Sequence, residues 1–484
     1  MSGVQASSAV SRTGRLAALP ISLAIAGVVL VYHVVPVINH FEKGGFILDT
    51  GWFAHLLQSA DPLLRNPAAV NDLSFYSYHF SPILYLWSIL VTRPLGLTGI
   101  HSFALFHGVA YAVPAFLLAW QTEKGLHSGL VRWLFRSLIL AFFLLGEFVL
   151  RETGYPHYEA AVTGLTLFTF LALRDRSATR IAAGFILLAL YREDGGFYAA
   201  YATVCVSAIA AIDGKDVAWG RGAALAGLGI AISVTAILIQ KHYFPGFDSV
   251  RSNFVGSGFF AHLTPAFIVE RLAGIALSAG LLPLLLGLAL LGWFHKPYLV
   301  PLLCLLPLLG LHALSVRDEL GLFTLHYGLP FAVIQLLVMA QAIGRGAAGR
   351  AGAAELAALA FFILSTTAPV SALLGLRNSG YYTLPVLVFD MPDGVTAQYL
   401  DEIDGALRSG DAKVCASVGV VALRPDAFPR DTHLNGGAVP DGCGTAIVFD
   451  GDMDSHAAKK ALADAGYLET RRVGRLLFFQ PGAN

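Results

Sequence analysis

The sequence predicts an all-α polytopic membrane protein that ends in a small α/β domain. Of its 484 residues, 56% are hydrophobic and only 13% are charged, whereas soluble domains carry roughly 25% charged residues. Apolar runs of about 17–25 residues recur along the chain, and a helix needs that length to cross a bilayer. The formal net charge is zero, which argues against a nucleic-acid partner.

About eleven apolar runs are predicted to span the membrane, and the first reads as an uncleaved anchor. The predicted spans are about 16–38, 101–120, 134–150, 158–173, 181–191, 197–212, 222–240, 272–294, 298–316, 326–343 and 353–375. Basic residues lie in connectors such as 124–136, 174–180, 215–221 and 345–350. The positive-inside rule places these connectors in the cytoplasm, together with the N-terminus.

This topology depends on two interpretations of short segments. The apolar run over residues 80–91 is too short to span, so we expect an interfacial helix on the outer side. The run over residues 181–212 is interrupted by the consecutive charges Arg192, Glu193 and Asp194. Three charges inside a bilayer would be costly, so two short spans should meet at an outer or membrane-recessed turn there.

The composition changes at about residue 378, and residues 378–484 are predicted to form a small periplasmic α/β domain after a membrane domain over residues 1–377. Segments 412–417, 445–449 and 475–480 have the pattern of strands, and 455–465 that of a helix. This domain contains Cys415 and Cys443, the two cysteines outside the apolar runs. We expect them to lie close enough for a disulfide, which an oxidising compartment would permit.

Asp49 follows the first predicted span and lies in the long outer loop over residues 39–100. A carboxylate there can take a proton from an attacking hydroxyl, so Asp49 is the candidate catalytic base. His79 is a candidate substrate ligand in the same loop, and Trp52 is a candidate for stacking on a sugar. The structural alternatives are a helix cap for Asp49, an anchor for the interfacial helix for His79, and an aromatic belt for Trp52.

The charged turn at residues 192–194 also falls on the predicted outer face. An arginine can neutralise a phosphate leaving group, so Arg192 is a candidate catalytic residue that would face such a group. Glu193 is a second candidate catalytic residue, and Asp194 a candidate substrate ligand. The alternative is an internal ion pair that joins two short helices.

Two histidine-containing segments fall on the same face. His157 and Glu159 are candidate ligands of a divalent metal ion, or belong to a loop whose polar groups bond to water. His326 and Tyr327 are candidate substrate ligands, or a buried structural pair. A divalent metal ion is therefore the one candidate cofactor that the sequence indicates.

Five segments in order resemble a bacterial family of polytopic membrane proteins called domain of unknown function 2079, which is related to the type C glycosyltransferases. They are Phe46-Ile47-Leu48-Asp49-Thr50-Gly51-Trp52-Phe53, His79-Phe80-Ser81-Pro82-Ile83-Leu84, Tyr155-Pro156-His157-Tyr158-Glu159, Tyr191-Arg192-Glu193-Asp194 and His326-Tyr327-Gly328-Leu329-Pro330. The resemblance covers about residues 40–375. Type C enzymes carry an acidic residue in the first outer loop, which Asp49 matches, and often a metal-binding acidic motif in the second, which His157 and Glu159 replace.

The resemblance implies a transferase that moves a sugar from a polyprenyl phosphate to an acceptor hydroxyl on the periplasmic face of the bacterial inner membrane. The expected partners are the lipid-linked sugar, a lipid or glycan acceptor and membrane lipids. A transporter or flippase of a lipid-linked saccharide is the alternative from another class, and a non-catalytic membrane scaffold is a third. An enzyme needs its charges gathered at one face, whereas a transporter needs some of them near the bilayer midplane.

Overall fold

A computed structural model of the chain describes most of both predicted domains. The described residues are 12–44, 47–65, 74–245, 251–255, 260–276, 278, 280–373, 394–409, 413–434, 438–451 and 455–482. The predicted domain boundary at 378 and the end of the last predicted span at 375 lie outside these residues, as do Gly45 and Phe46. Two compact units are formed. Unit 1 comprises Met1–Val34, Leu105–Leu238 and Asp248–Leu384, and unit 2 comprises Val35–Ala104, Ile239–Phe247 and Pro385–Asn484.

Helices make up most of the described chain, as predicted. In chain order they are α1 (Arg12–Glu42), α2 (Ile47–Ser59), α3 (Pro82–Trp87), α4 (Arg93–Leu95), α5 (Gly99–Gly125), α6 (Gly129–Leu145), α7 (Glu147–Gly154), α8 (Ala161–Arg174), α9 (Ala178–Tyr191), α10 (Gly195–Ile212), α11 (Trp219–Tyr243), α12 (Pro265–Ala276), α13 (Leu281–Phe294), α14 (Val300–Ala313), α15 (Asp318–Gly321), α16 (Leu329–Ala347), α17 (Ala353–Leu364), α18 (Ala368–Leu373), α19 (Val395–Arg408), α20 (Val418–Leu423) and α21 (Ser455–Asp464).

Six helices within the described residues are long and apolar enough to cross a membrane, fewer than the eleven predicted spans. They are Ala18–Glu42, Gly99–Gly125, Gly195–Ile212, Trp219–Tyr243, Lys296–Ala313 and Asp318–Ala347. The chain is therefore a multi-pass membrane protein by length and composition. The predicted interruption at residues 192–194 is confirmed, because α9 ends at Tyr191 and α10 begins at Gly195.

Three predicted spans are broken instead of continuous. The run 134–150 breaks at Gly146, the run 272–294 between α12 and α13, and the run 353–375 between α17 and α18. Gly146 has extended backbone geometry and forms an isolated bridge with Thr367. The amide of Glu147 donates to the carbonyl of Thr366 at 3.0 Å. The breaks near Gly146 and Thr366 therefore form hydrogen bonds with each other's backbone. Such bonds allow non-helical backbone inside a helix bundle.

The C-terminal part of unit 2 contains the predicted small sheet. Its strands are β1 (Lys413–Ala416), β2 (Cys443–Phe449), β3 (Tyr467–Val473) and β4 (Leu476–Pro481), in the order β1-β2-β4-β3. β1 pairs parallel with β2, and the other pairs are antiparallel. The three predicted strands and the predicted helix are confirmed. The strand β3 was not predicted, because its central residues are exposed and its apolar pattern is weak.

Within unit 2 the C-terminal domain packs on the helix that follows α1. Residues of α20 contact α2, and Arg475 donates to the carbonyl of Gly44 at 3.3 Å. The segment around α2 and the C-terminal domain are therefore in direct contact within this unit.

Cys415 and Cys443 form a disulfide between neighbouring strands, with Cα atoms 5.9 Å apart, as their placement outside the apolar runs predicted. The bridge closes a separation of 28 residues and is expected to stabilise the domain by about 2–4 kcal/mol. The described free cysteines are Cys205 and Cys304.

We predict that protein purified without reductant and then denatured exposes only the thiols of Cys205 and Cys304. Reduction should raise the number of reactive thiols to all four of the chain's cysteines. Thiol titration by mass spectrometry measures both numbers, and a C415S/C443S variant is the control that should not respond to reductant. Four reactive thiols before reduction would show that the bridge does not form in cells.

Candidate functional site

The guanidinium of Arg192 is the centre of a polar cluster in unit 1. It forms a close ion pair through Nη1 with Glu159, donates through Nη2 to Asp194 at 2.8 Å, and lies 3.7 Å through Nε from Glu193. The backbone of Arg192 is extended, so α9 ends before this residue. Arg192 therefore lies in the turn between α9 and α10. The predicted charged turn is thus an ion-pair network around Arg192. Two of the carboxylates belong to the turn itself, and the third, Glu159, belongs to another loop.

The pKa of Arg192 reflects this surrounding. Burial acts to lower the pKa of the guanidinium, but the carboxylates of Asp194 and Glu159 outweigh burial and hold that pKa well above its usual value. Arg192 is therefore a permanent cation whose hydrogen-bonding groups already face carboxylates. This arrangement suits an organising role better than direct contact with a phosphate.

His157, Glu159 and His326 form a second part of the same cluster. His326 Nε2 lies 3.8 Å from Glu159 Oε2, and His157 Nδ1 lies 3.9 Å from Glu159 Oε1. The two imidazole rings stack with centroids 4.2 Å apart, and one potential ligand atom from each of the three residues lies within 4.8 Å of the others. All three side chains are buried. Two histidines and a carboxylate are a ligand set of catalytic zinc sites, which keep a fourth position open.

Aromatic rings surround this trio. Tyr327 lies beside His326 with ring centroids 4.0 Å apart, and Tyr155 stacks on the same imidazole at 6.1 Å. The Tyr191 hydroxyl donates to the backbone carbonyl of Glu159 at 3.1 Å. The structure thus brings together the residues predicted for the second outer loop, the charged turn and the segment before α16.

Three helices begin at this cluster. Glu159 lies in the turn just before α8, Asp194 precedes α10, and His326 lies in the turn just before α16. The positive ends of helix dipoles favour anions, and free backbone amides can donate to them. The basic connectors after these helices, at 174–180, 215–221 and 345–350, lie at their opposite ends. The cluster is therefore at the end of the bundle away from the positive charges.

Paired glycines let the charged turn sit close to its neighbours. A Cβ on Gly195 would lie 1.8 Å from the carbonyl oxygen of Leu188, and a Cβ on Gly196 would lie 2.1 Å from that of Gly229. Only glycine fits at either position without movement of the backbone. These glycines allow α10 to begin immediately after the turn and to pack on α11.

The remaining predicted site residues belong to unit 2. Asp49 is part of α2 and is half-buried. His79 follows a short 3-10 turn and packs against the ring of Phe75 at 5.8 Å. Trp52 packs against the apolar core of the C-terminal domain. That these residues line one cavity with His157, Glu159 and Arg192 stays a prediction.

A third set of polar residues, which was not predicted as part of the site, is buried inside unit 1. Tyr111 donates to Glu152 at 2.6 Å, and His107 Nε2 lies 3.4 Å from the same carboxylate oxygen. His33 bonds to the hydroxyl of Thr153 at 2.8 Å. All five side chains are buried. Each histidine interrupts an apolar run, which is the signal that could have identified them.

This buried set contacts the backbone of the loop that carries the candidate site. The Glu152 carboxylate accepts the backbone amide of His157 at 3.1 Å, so it fixes the start of the loop that carries His157 and Glu159. The residue before Glu152 in α7, Arg151, donates to Glu147 and to the carbonyl of Phe323, both at 3.0 Å. These bonds tie α7 to the segment that leads into His326.

Comparisons of the chain with protein-family models, with curated proteins and with solved structures found no match. The resemblance carried by the five ordered segments therefore stays a prediction.

Proposed function

We propose that this protein transfers a sugar from a polyprenyl phosphate to an acceptor hydroxyl at the membrane surface. The observation that supports the proposal most is the convergence of three helix N-termini on the cluster around Glu159, Arg192 and His326. Helix N-termini favour a phosphate group, and the long apolar helices beside them suit a polyprenyl chain.

The proposed reaction is a displacement at the anomeric carbon. The acceptor oxygen forms a bond to that carbon, and the bond from the carbon to the phosphate oxygen breaks with its electron pair leaving on the phosphate. Asp49 accepts the proton of the acceptor hydroxyl. Glu193 and Glu159 are the alternative bases. Arg192 holds Glu159 and Asp194 in place, and His79, Trp52 and Tyr327 contribute to the substrate site.

A divalent metal ion fits the donor set of His157, Glu159 and His326, because one ligand atom from each lies within 4.8 Å of the others. Glu159 Oε1 pairs with Arg192, while Glu159 Oε2 faces His326. The Oε2 oxygen is therefore the one available to bind a metal ion together with the two histidines. When bound, such an ion would supply positive charge to a phosphate leaving group.

The direct test uses purified protein in lipid nanodiscs with a panel of polyprenyl-phosphate sugars. Formation of free polyprenyl phosphate together with a glycosylated acceptor supports the proposal, and mass spectrometry measures both. Binding of a donor without turnover over the whole panel would favour a transport role instead.

Metal binding gives a separate prediction. We expect H157A and H326A each to weaken zinc binding by more than about 100-fold, because each removes a ligand where even the loss of a supporting contact costs 10–100-fold. Isothermal titration with Zn²⁺ measures the affinity. H101A is the matched control, because His101 is exposed and lies in unit 2. Equal zinc affinity in H326A and H101A would exclude the site.

We place the cluster and the C-terminal domain on the periplasmic face of a bacterial inner membrane. The basic connectors at the opposite ends of α8, α10 and α16 support this orientation. The disulfide of the C-terminal domain supports an oxidising compartment. Alkaline phosphatase fused after Ser409 should be active, and a cytoplasm-only fluorescent reporter at the same position should be dark.

A second candidate function is movement of a lipid-linked saccharide across the membrane. The buried set around Glu152 favours it, because ionisable residues inside membrane-spanning helices often line transport pathways. His107, for example, lies about 12 Å from the start of α5, counted at 1.5 Å per residue. It is therefore inside that apolar helix and not at its end. Proteoliposomes containing a fluorescent lipid-linked saccharide test this function. Protein-dependent flipping that E152Q abolishes, without any transfer product, would favour the transporter.

A further inference from the structure

The C-terminal domain contacts the segment that carries Asp49 both before α2 and within the first half of α2. Before α2, the Thr396 hydroxyl bonds to the carbonyl of Phe41, and Arg475 donates to the carbonyl of Gly44. Within α2, Leu48 and Trp52 pack against the core formed by α19, α20 and the sheet. The domain therefore holds the chain on either side of Asp49.

The closest contact is between backbones. A Cβ on Gly51 would lie 2.8 Å from the carbonyl oxygen of Ala422 in α20. Such a distance is tolerated only by glycine, since neither backbone can move aside without shifting its helix. Gly51 lies two residues after Asp49, so any displacement of α20 from α2 is transmitted directly to the candidate base.

The second half of α2 contacts the rest of the first loop. The Ser88 hydroxyl donates to the carbonyl of Leu57 at 2.5 Å, and the amide of Gly99 donates to Gln58 at 3.2 Å. A Cβ on Gly99 would lie 2.2 Å from the carbonyl oxygen of Ala54. The α2 helix thus contacts both the rest of the first loop and the C-terminal domain.

Arg475 connects this contact to the sheet. Its Nε donates to the carbonyl of Asp450 at 2.7 Å, and its backbone amide donates to the hydroxyl oxygen of Tyr399 at 3.1 Å. Its guanidinium carbon lies 4.4 Å from the Phe449 ring centroid. One side chain therefore joins the end of β2, helix α19 and the chain before α2.

We propose that the C-terminal domain is a positioning domain that docks on α2 and fixes the orientation of Asp49. Gly51 and Arg475 are its positioning residues. The catalytic part of this inference rests on the proposed transfer function, whereas the docking part does not. The domain would act through α2 and would not itself contact the sugar donor.

The test compares two identical changes in helices of unit 2. In G51A the new methyl meets the Ala422 carbonyl, whereas in G405A it meets nothing within 4 Å. Both changes favour the helix by propensity, so a difference between them reports the contact. Hydrogen exchange followed by mass spectrometry measures the opening of α2 in the full-length protein.

We expect amides of α2 to exchange about tenfold faster or more in G51A, while amides of β2 and β4 keep their wild-type rates. For transfer we expect kcat to fall about 10²-fold, as for an ångström-scale misplacement, with the donor KM nearly unchanged. G405A should match the wild type in all of these measurements. R475Q is a second test, at the contact between Arg475 and the carbonyl of Gly44. We expect it also to speed the exchange of α2 and lower kcat, but by smaller factors than G51A.

Wild-type exchange of α2 in both G51A and R475Q would overturn the docking. Faster exchange of α2 with unchanged kcat in an active enzyme would overturn the positioning of Asp49. If the wild-type protein transfers no sugar, the proposed function fails, and the exchange rates alone then decide whether the domain holds α2.

Discussion

Replacement of Asp49 by asparagine is expected to abolish sugar transfer while the protein stays folded and the donor stays bound. The change keeps the size of the side chain and removes the basic carboxylate. General-base help contributes about 10²–10⁴ in rate, so the loss should appear in kcat and leave donor affinity unchanged. Transfer assays in nanodiscs, with donor binding measured separately, give both quantities.

The matched control for D49N is D61N. Asp61 also belongs to unit 2, where its carboxylate accepts backbone amides of the turn after α2, including that of Leu63 at 3.0 Å. An unchanged transfer rate in D49N would identify Asp49 as a cap or structural contact. A parallel loss of donor binding would assign it to substrate or metal binding, and the base would then be Glu159 or Glu193.

Replacement of Arg192 by glutamine is expected to cause a large loss of stability in unit 1. The change leaves the buried carboxylate of Glu159, and the neighbouring Asp194, without their main cation. Breaking a buried ion pair on one side costs about 3–5 kcal/mol. The shift of the thermal midpoint in detergent measures the effect, with a thiol-reactive dye reporting exposure of the buried Cys205.

R180Q is the control for this variant. Arg180 also pairs with an acidic residue, Asp175 at 3.1 Å, but its side chain is 49% exposed, so the loss should stay below about 1 kcal/mol. The double variant R192Q/E159Q should recover part of the stability, because it removes a carboxylate together with its partner. A wild-type midpoint for R192Q with a raised donor KM would instead show that Arg192 binds the phosphate.

The membrane class, the long helices and the interruption at Arg192 could be predicted from sequence because they depend on local composition. A bilayer demands apolar runs of fixed length, and consecutive charges with paired glycines end such a run. The strands β1, β2 and β4 were predicted for the same reason, since their residues are buried and apolar. The disulfide followed from the position of two cysteines outside the apolar runs.

The broken spans could not be predicted, because their breaks are compensated from elsewhere in the chain. The runs around Gly146 and Thr366 look continuous in sequence, yet each leaves backbone groups that the other satisfies. A hydropathy average depends only on the residue types within a segment. It cannot show that a backbone group of that segment bonds to a distant part of the chain. The number of crossings is therefore a tertiary property of this chain.

The sequence by itself determined which side chains could carry chemistry: the acids, histidines and arginine that stand out in an apolar chain. Only the tertiary structure decided which of them meet. It joined Glu159 to Arg192 and His326, and placed Asp49 and Trp52 beside the C-terminal domain. The reason is physical: the type of a residue sets what it can bind, but contacts between residues far apart in sequence depend on how the helices pack.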